Sequence, residues 1–238
     1  MQYDVKLMEK YGAYALEQQL FFNSLISKEM IWNVDIYSAE LYLGHSFTFP
    51  IQILGTYTNE TGRWIWMHVK ELDKVPSRGL MHAAELRKYG VSKKLDFLKT
   101  LEFRIKKNDL HFIGLISMGI TGSNGYYLGN YGKGTVCLTV QSDYLKKKFV
   151  DSHEAIFTTF PKLVSVYDLN DKEAFKRYMK AKQYDIQVSE DEIFGQRGED
   201  KVRAIFDESR KLSKLEDVSN VDSLCVIDEP ETVSSLDS

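Results

Sequence analysis

The sequence predicts an α+β protein built as a single domain, a mainly antiparallel sheet packed by an N-terminal helix and further helices. Three observations carry that prediction. Residues 3–28 keep an apolar stripe at helical spacing, and residues 31–70 break into four short apolar runs separated by tight turns. Beyond them helical and strand-like segments alternate, with no internal repeat or long linker to divide the body. The chain has 238 residues, 43% of them hydrophobic and 13% aromatic, enough to bury a substantial core.

In the first helix Leu7, Tyr11, Tyr14, Gln18, Phe21, Phe22 and Leu25 recur every three or four positions, and no proline interrupts them. This stripe needs a partner surface, and the sheet that follows is the expected one. "IWNVDIYS" (31–38), "LYLGH" (41–45), "FPIQILGTYT" (49–58) and "RWIWMHVK" (63–70) read as successive strands, and connections as short as "AE" and "NETG" suit antiparallel neighbours. Along the fourth, Trp64, Trp66 and His68 point to one face while Ile65, Met67 and Val69 point to the other. Apolar residues on both faces predict a central strand. Its tryptophan face is expected to need a cover separate from the helices on the other face.

Pro76 opens a predicted helix that runs to about Tyr89 and is stopped by Gly90. The pattern of "LDFLKT" (95–100) decides between neither helix nor strand. "NDLHFIGLISMGI" (108–120) reads as a buried helix capped by Asn108 or Asp109, and "NGYYLGNYGKGTVCLTVQ" (124–141) as a hairpin. A broken helical region spans about 149–182. Pro161 is expected to start a new helical segment there, since it lacks the backbone donor a helix interior needs, and Asn170 with Glu173 forms a capping-box pattern for the last piece. "YDIQVSEDEIF", "KVRAIFD" and "KLSKLE" close the body as strands joined by "GQRGED" and "DESR".

Residues 217–238 change character. They hold six acidic and no basic side chains and are rich in serine, which predicts a disordered tail beyond a body spanning 1–216. Within the tail "LCVIDEPE" sets a short β-prone run beside acids. The body then carries 31 basic against 28 acidic residues, a net +3 that provides no electrostatic case for nucleic acid. Lys146, Lys147 and Lys148 read as solvated surface. The longest apolar run, "FIGLISMGI", is far shorter than the roughly 20 residues that cross a bilayer. The N-terminus shows no basic stretch before an apolar core, and the two cysteines, Cys137 and Cys225, are far apart; a cytoplasmic protein is expected, without membrane or nucleic-acid partners.

No motif points to catalysis. In "GITGSNGYYLGNYGKGT" Lys133 is followed by glycine where a phosphate loop needs Ser or Thr, so its glycines read as bends. There is no HExxH among the five histidines and no GxSxG, and Cys137 sits mid-strand as an inert thiol. Tyr126 and Tyr127 read as packing residues, and Asp207 and Arg210 as members of a tight turn. No catalytic residue, metal or cofactor is expected. Trp64, Trp66 and His68 remain as the one constellation suited to a ligand, though core packing accounts for the two indoles as well.

Gly55-Thr56-Tyr57, Trp64-Ile65-Trp66, Gly125-Tyr126-Tyr127 and Phe206-Asp207 through Arg210, with Leu212 one place late, occur in an order that resembles an uncharacterised family of small bacterial proteins, a domain of unknown function. The resemblance covers about residues 1–216, with His68 and Lys70 standing where that family often has a third tryptophan and an asparagine. It implies a single α+β domain in a bacterial or phage cytosol and brings no catalytic residues. The expected function is non-catalytic binding of another protein, as an immunity-type or regulatory module. The alternative is a small-molecule-binding protein or an undiscovered enzyme with a pocket on the Trp64/Trp66/His68 face.

Overall fold

Helix α1 (Val5–Ser24) is the element around which the chain assembles, in a computed structural model that describes residues 4–27, 29–67 and 77–220. Asp4 caps it, its carboxylate accepting from the Lys6 amide at 3.0 Å. Leu7, Met8, Ala13, Ala15 and Phe22 are all buried, so the helix is covered on more than one side. Its neighbours are helices α4 (Asp109–Thr121), α6 (Ala155–Val166) and α7 (Asp171–Ala181) and, on the sheet, strand β6 (Gly125–Asn130) and Phe49, whose ring meets that of Phe22 edge-on. Helices cover the first part of its apolar stripe, and the expected sheet takes Phe21, Phe22 and Leu25 at its end.

The larger sheet contains β1 (Trp32–Asp35), β2 (Glu40–Leu43), β3 (Phe47–Thr58), β4 (Arg63–Trp66), β5 (Glu102–Arg104), β6 and β7 (Gly134–Val140), all pairs antiparallel. The long β3 pairs first with β2 and then with β4 along one edge, while β7 follows its other edge from Ile51 to Thr58. A register shift between Ile53 and Gly55 reverses which face the strand's residues serve. Phe49, Ile51 and Ile53 therefore pack with Phe22, Leu138 and Val140, whereas Tyr57 joins the main core on the opposite face. The predicted hairpin at 124–141 is β6–β7, and β4 lies between β3 and β5 as its two-faced pattern required.

After a 3₁₀ turn at 77–79, α2 (Met81–Lys93) runs past Gly90 and ends at Lys94, which takes the left-handed conformation with φ +58°. Gly90 is not a stop signal. A Cβ there would lie 2.6 Å from the Leu98 Cβ, so the missing side chain lets α2 touch the short α3 (Asp96–Lys99) formed by the undecided "LDFLKT". The buried helix predicted at 108–120 is α4, ending at Gly122 with φ +69°. Asp109 satisfies the turn before it by accepting from the Lys106 amide at 2.7 Å. Lys146–Lys148 lie exposed on the six-residue α5 (Asp143–Lys148).

Pro161 sits inside α6 and does not begin a new segment; that expectation is corrected. The missing N–H leaves the Phe157 carbonyl without its helical donor, a penalty of about 3 kcal/mol in a bare helix. Burial of Ile156, Phe160 and Leu163 along one face of α6 opposes it. The break falls instead between Tyr167 and Asn170. There Asn170 caps α7 by accepting from the Glu173 amide at 3.0 Å, while the Asn170 amide donates to Glu9 of α1 at 2.9 Å. Half of the capping box is thus supplied from another helix.

The C-terminal strands β8 (Asp185–Val188), β9 (Glu192–Arg197), β10 (Asp200–Phe206) and β11 (Leu212–Asp217) form a second antiparallel sheet in the order β11-β10-β9-β8. At the β10–β11 turn the Asp207 carboxylate accepts from the Lys211 amide at 2.9 Å, and Arg210 contributes a left-handed backbone (φ +65°). The expected boundary at 217 falls on the last residue of β11. The next residues still belong to the sheet, because the Val218 amide donates to Lys201 and the Ser219 hydroxyl accepts from the Lys201 amide. Residues 221–238, with "LCVIDEPE", lie outside the described residues, as does Pro76. Among the described residues no helix is long and apolar enough to cross a membrane.

Candidate functional site

Trp64 and Trp66 are core residues, 0% and 1% exposed, with ring centroids 5.1 Å apart and planes at 89°. The Trp66 Nε1 donates to the Phe97 carbonyl at 2.8 Å, and the indoles belong to the same cluster as Leu86, Phe97 and Phe112. The tryptophan face is therefore itself the helix-covered face, while Met67 on the other face packs at the edge of the second cluster. His68 lies outside the described residues. Neither indole lines any of the clefts described below.

The most apolar of those clefts, about 770 Å³, opens between α1, α4 and the end of α6. Leu16 and Leu20 of α1, Phe112 and Leu115 of α4, and Leu163 and Tyr167 near the end of α6 form its walls. Val5 and Val166 stand at its margin, 41% and 67% exposed. Gln19, Asn23, Asn108, Asp109, His111, Tyr126 and Lys162 bring polar groups to it. An apolar enclosure with a few convergent polar groups is the usual form of a small-molecule site.

The sequence spacing of α4 builds the centre of this cleft. His111 and Gly114 are three residues apart and share a helix face. A Cβ at Gly114 would lie 2.6 Å from the Tyr126 ring, so glycine lets that ring lie flat against α4. The hydroxyl then reaches His111, 2.6 Å from Nδ1. From the other side Gln19 acts as a surrogate strand partner for β6. Its Oε1 accepts from the Tyr126 amide at 2.7 Å, and its Nε2 donates to the Tyr126 carbonyl at 3.0 Å and to Asn23 Oδ1 at 2.8 Å. Tyr126 is thus the packing residue expected, and also a polar member of the site. Gln19 lies off the stripe read from the sequence, next to Gln18, and nothing in the local spacing marks its role.

Burial pushes the Tyr126 hydroxyl far above its ordinary value, and burial together with the Asp109 charge raises Tyr167 to about 12. Desolvation lowers His111, whose side chain opens to solvent at the cleft margin yet is crowded by protein on its other sides. His82, bonded through Nδ1 to Thr139 at 2.8 Å, is lowered by burial as well. A histidine with a depressed folded pKa takes up its proton more readily unfolded. Its contribution to stability is complete above the unfolded value of about 6.5 and is lost as pH falls through the folded value. Urea midpoints should fall as pH drops below about 6.5, and His82→Gln should flatten that slope; an unchanged slope would remove His82 from the account.

A second polar constellation lies where α1 meets α7. Lys182, with no exposed surface, donates to both Glu17 oxygens at 2.7 and 2.9 Å and pairs with Asp151. The Tyr178 hydroxyl also donates to Glu17. Burial raises the Glu17 carboxyl, and its bonds to Lys182 and Tyr178 oppose that rise. Arg197 donates to the Asp151 and Lys182 carbonyls, with its guanidinium 4.7 Å above the Tyr184 ring. The cleft between α1, α4 and α6 does not reach Lys182. Nearby, His153 presents the same nitrogen, Nε2, to Asp217 at 3.2 Å and to Ser219 at 3.4 Å, and its Nδ1 to Tyr184. A nucleophile relay needs the serine and the carboxylate on opposite ring nitrogens, so this is a brace for β11. Cys137 is fully buried, which pushes its thiol well above the ordinary range.

Residues 5–143 match the model of a family of unknown function, DUF6882, and the chain belongs to that family. The matched stretch holds the Gly55-Thr56-Tyr57, Trp64-Ile65-Trp66 and Gly125-Tyr126-Tyr127 segments and the α1 and α4 walls of the cleft. The α6 wall, the second sheet and the Phe206–Leu212 segment lie beyond it, a narrower span than the resemblance over 1–216. No curated protein and no solved structure matches the chain.

Proposed function

We propose that this DUF6882 protein is a small-molecule-binding protein of the cytosol whose ligand occupies the cleft between α1, α4 and α6. The observation that carries the reading is the open apolar wall itself. Leu16, Leu20 and Tyr167 are only partly covered and Val166 is 67% exposed, around a volume of about 770 Å³ into which Tyr126 and His111 also face. Apolar surface left in a concave site gains free energy when a ligand covers it, about 25 cal/mol for each Å². Binding without chemistry fits the centre of the cleft. His111 favours its neutral form and Tyr126 holds its proton, so neither is tuned to exchange one near neutral pH.

Saturable fluorescence enhancement of diphenylhexatriene, a hydrocarbon dye, tests the reading. One site per chain is expected in the native protein, with affinity reduced about tenfold or more by Leu20→Glu, which places a charge on the wall of a partly open position. Equal binding by the two proteins would refute the cleft as the site.

A second reading, the protein-binding module, is favoured by a different surface. Strand β1 ends the larger sheet, and Ile31 (84% exposed), Ile36 and Tyr37 (63%) flank it. An edge with exposed apolar neighbours suits the addition of a partner's strand. On this reading an Ile31→Glu/Tyr37→Glu variant keeps its fold and loses a partner that cross-links from a photoreactive residue placed at position 33 of β1 in both proteins. Unchanged cross-linking would dismiss it.

A further inference from the structure

We propose that the cleft selects an uncharged hydrogen-bond acceptor, a carbonyl oxygen carried on an apolar body, with His111 Nε2–H as the principal donor. The inference rests on the reading of the cleft as a binding site and specifies what that site recognises. It follows from counting which polar groups have capacity to spare.

Tyr126 is 6% exposed and burial keeps its hydroxyl protonated, so the hydroxyl hydrogen needs an acceptor inside the protein. His111 Nδ1, 2.6 Å away, is the partner the structure provides. A neutral imidazole that accepts at Nδ1 carries its own hydrogen on Nε2, and desolvation keeps the ring neutral. Asn23 is spent in the same sense. Its Oδ1 accepts from Gln19, which leaves the Nδ2 hydrogens as the free end. Gln19 itself has both ends committed to β6. The Tyr167 hydroxyl, held protonated well above neutral pH, adds another donor. The spare groups facing the cleft are thus predominantly N–H and O–H.

The charges decide against an anionic acceptor. Asp109 and Asp168 both line the cleft, opposed by Lys162 at its margin. Asp168 is held by Lys211 at 2.5 Å, whereas Asp109 accepts from the Lys106 amide at 2.7 Å and lies close enough to Tyr167 to raise its hydroxyl. A carboxylate would enter a site lined by two carboxylates and one lysine, and an ammonium group would meet donors it cannot satisfy. A ketone, ester or tertiary amide oxygen meets both conditions. The hydrocarbon walls then take up the rest of the molecule.

Calorimetric titration with three probes of equal chain length tests this: N,N-dimethyloctanamide, octanoate and octyltrimethylammonium. The amide should bind at least tenfold more tightly than either ion, since one hydrogen bond made or left unmade away from bulk water is of that order. His111→Phe should remove that preference. His111→Gln, which retains an N–H, should restore part of it. Imidazole 15N spectra of the native protein should show the hydrogen on Nε2 of His111. Equal binding of the three probes, a preference for either ion, or a hydrogen found on Nδ1 overturns the inference while dye binding still supports the cleft. Failure of both the dye and the amide to bind rejects the binding reading itself.

Discussion

Trp66→Ala should lower the unfolding free energy by about 3–5 kcal/mol, the range for truncating a buried large aromatic. The side chain is 1% exposed and stands edge-on to Trp64, and its indole N–H is given to the Phe97 carbonyl at 2.8 Å. Truncation opens a cavity between β4 and α3 that the β3–β4–β5 pairing gives little room to collapse. It also removes a donor from a buried carbonyl, an omission that by itself costs about 1–3 kcal/mol. Urea unfolding of the variant provides the measurement. In a protein that keeps Trp66 as its one tryptophan, acrylamide should quench weakly. A loss below about 1 kcal/mol, together with efficient quenching, would return the indole to solvent and reopen the tryptophan face as a binding wall.

Lys182→Met should cost a similar amount, about 3–5 kcal/mol, for a different reason. Methionine fills nearly the same space, so packing changes little. What is lost is the cation that balances Glu17, a carboxylate 4% exposed, and shares Asp151 with Arg197. The penalty is that of an unpaired buried charge, so a second change that removes the charge should reverse it. Glu17→Leu combined with Lys182→Met is expected to recover most of the stability, as buried pairs replaced by apolar residues commonly do. A double-mutant cycle by chemical denaturation reads the coupling. Near-additive losses, or a neutral Lys182→Met, would show that the cluster does not bind α1 to the α7 and β8–β11 region as its geometry indicates.

Both of these sites connect segments distant in the chain, and that is where reading the sequence and reading the structure part company. Helical spacing marked α1, alternation marked β4, and the glycines of 124–141 marked the β6–β7 hairpin, because each signal lies within a few residues of its consequence. Glycine at 90 and proline at 161 misled for the same reason. Their local preferences are real, but Leu98 packed on Gly90, and the buried face of α6, outweighed them. The candidate site was legible only in part. The W-x-W pattern located a pair of aromatics and could not say which elements would cover them. Burial by α2, α3 and α4 is a property of contacts between residues some 20 to 50 positions apart.

By itself the sequence determined the α+β class, most of the strands, the buried helix at 109–121 and the Asn170 cap, since periodicity and capping act over one or two turns of chain. It also placed the glycine that α4 needs at position 114, without revealing the need. Tertiary structure alone decided that Gln19 would bond β6, that Glu17 would meet Lys182, and that His111 and Tyr126 would share a cleft with the far end of α6. Those partners are separated by as many as 165 positions in the chain. A polar side chain's pairing is a matter of distance in space and of desolvation, and neither has a period that sequence spacing can carry.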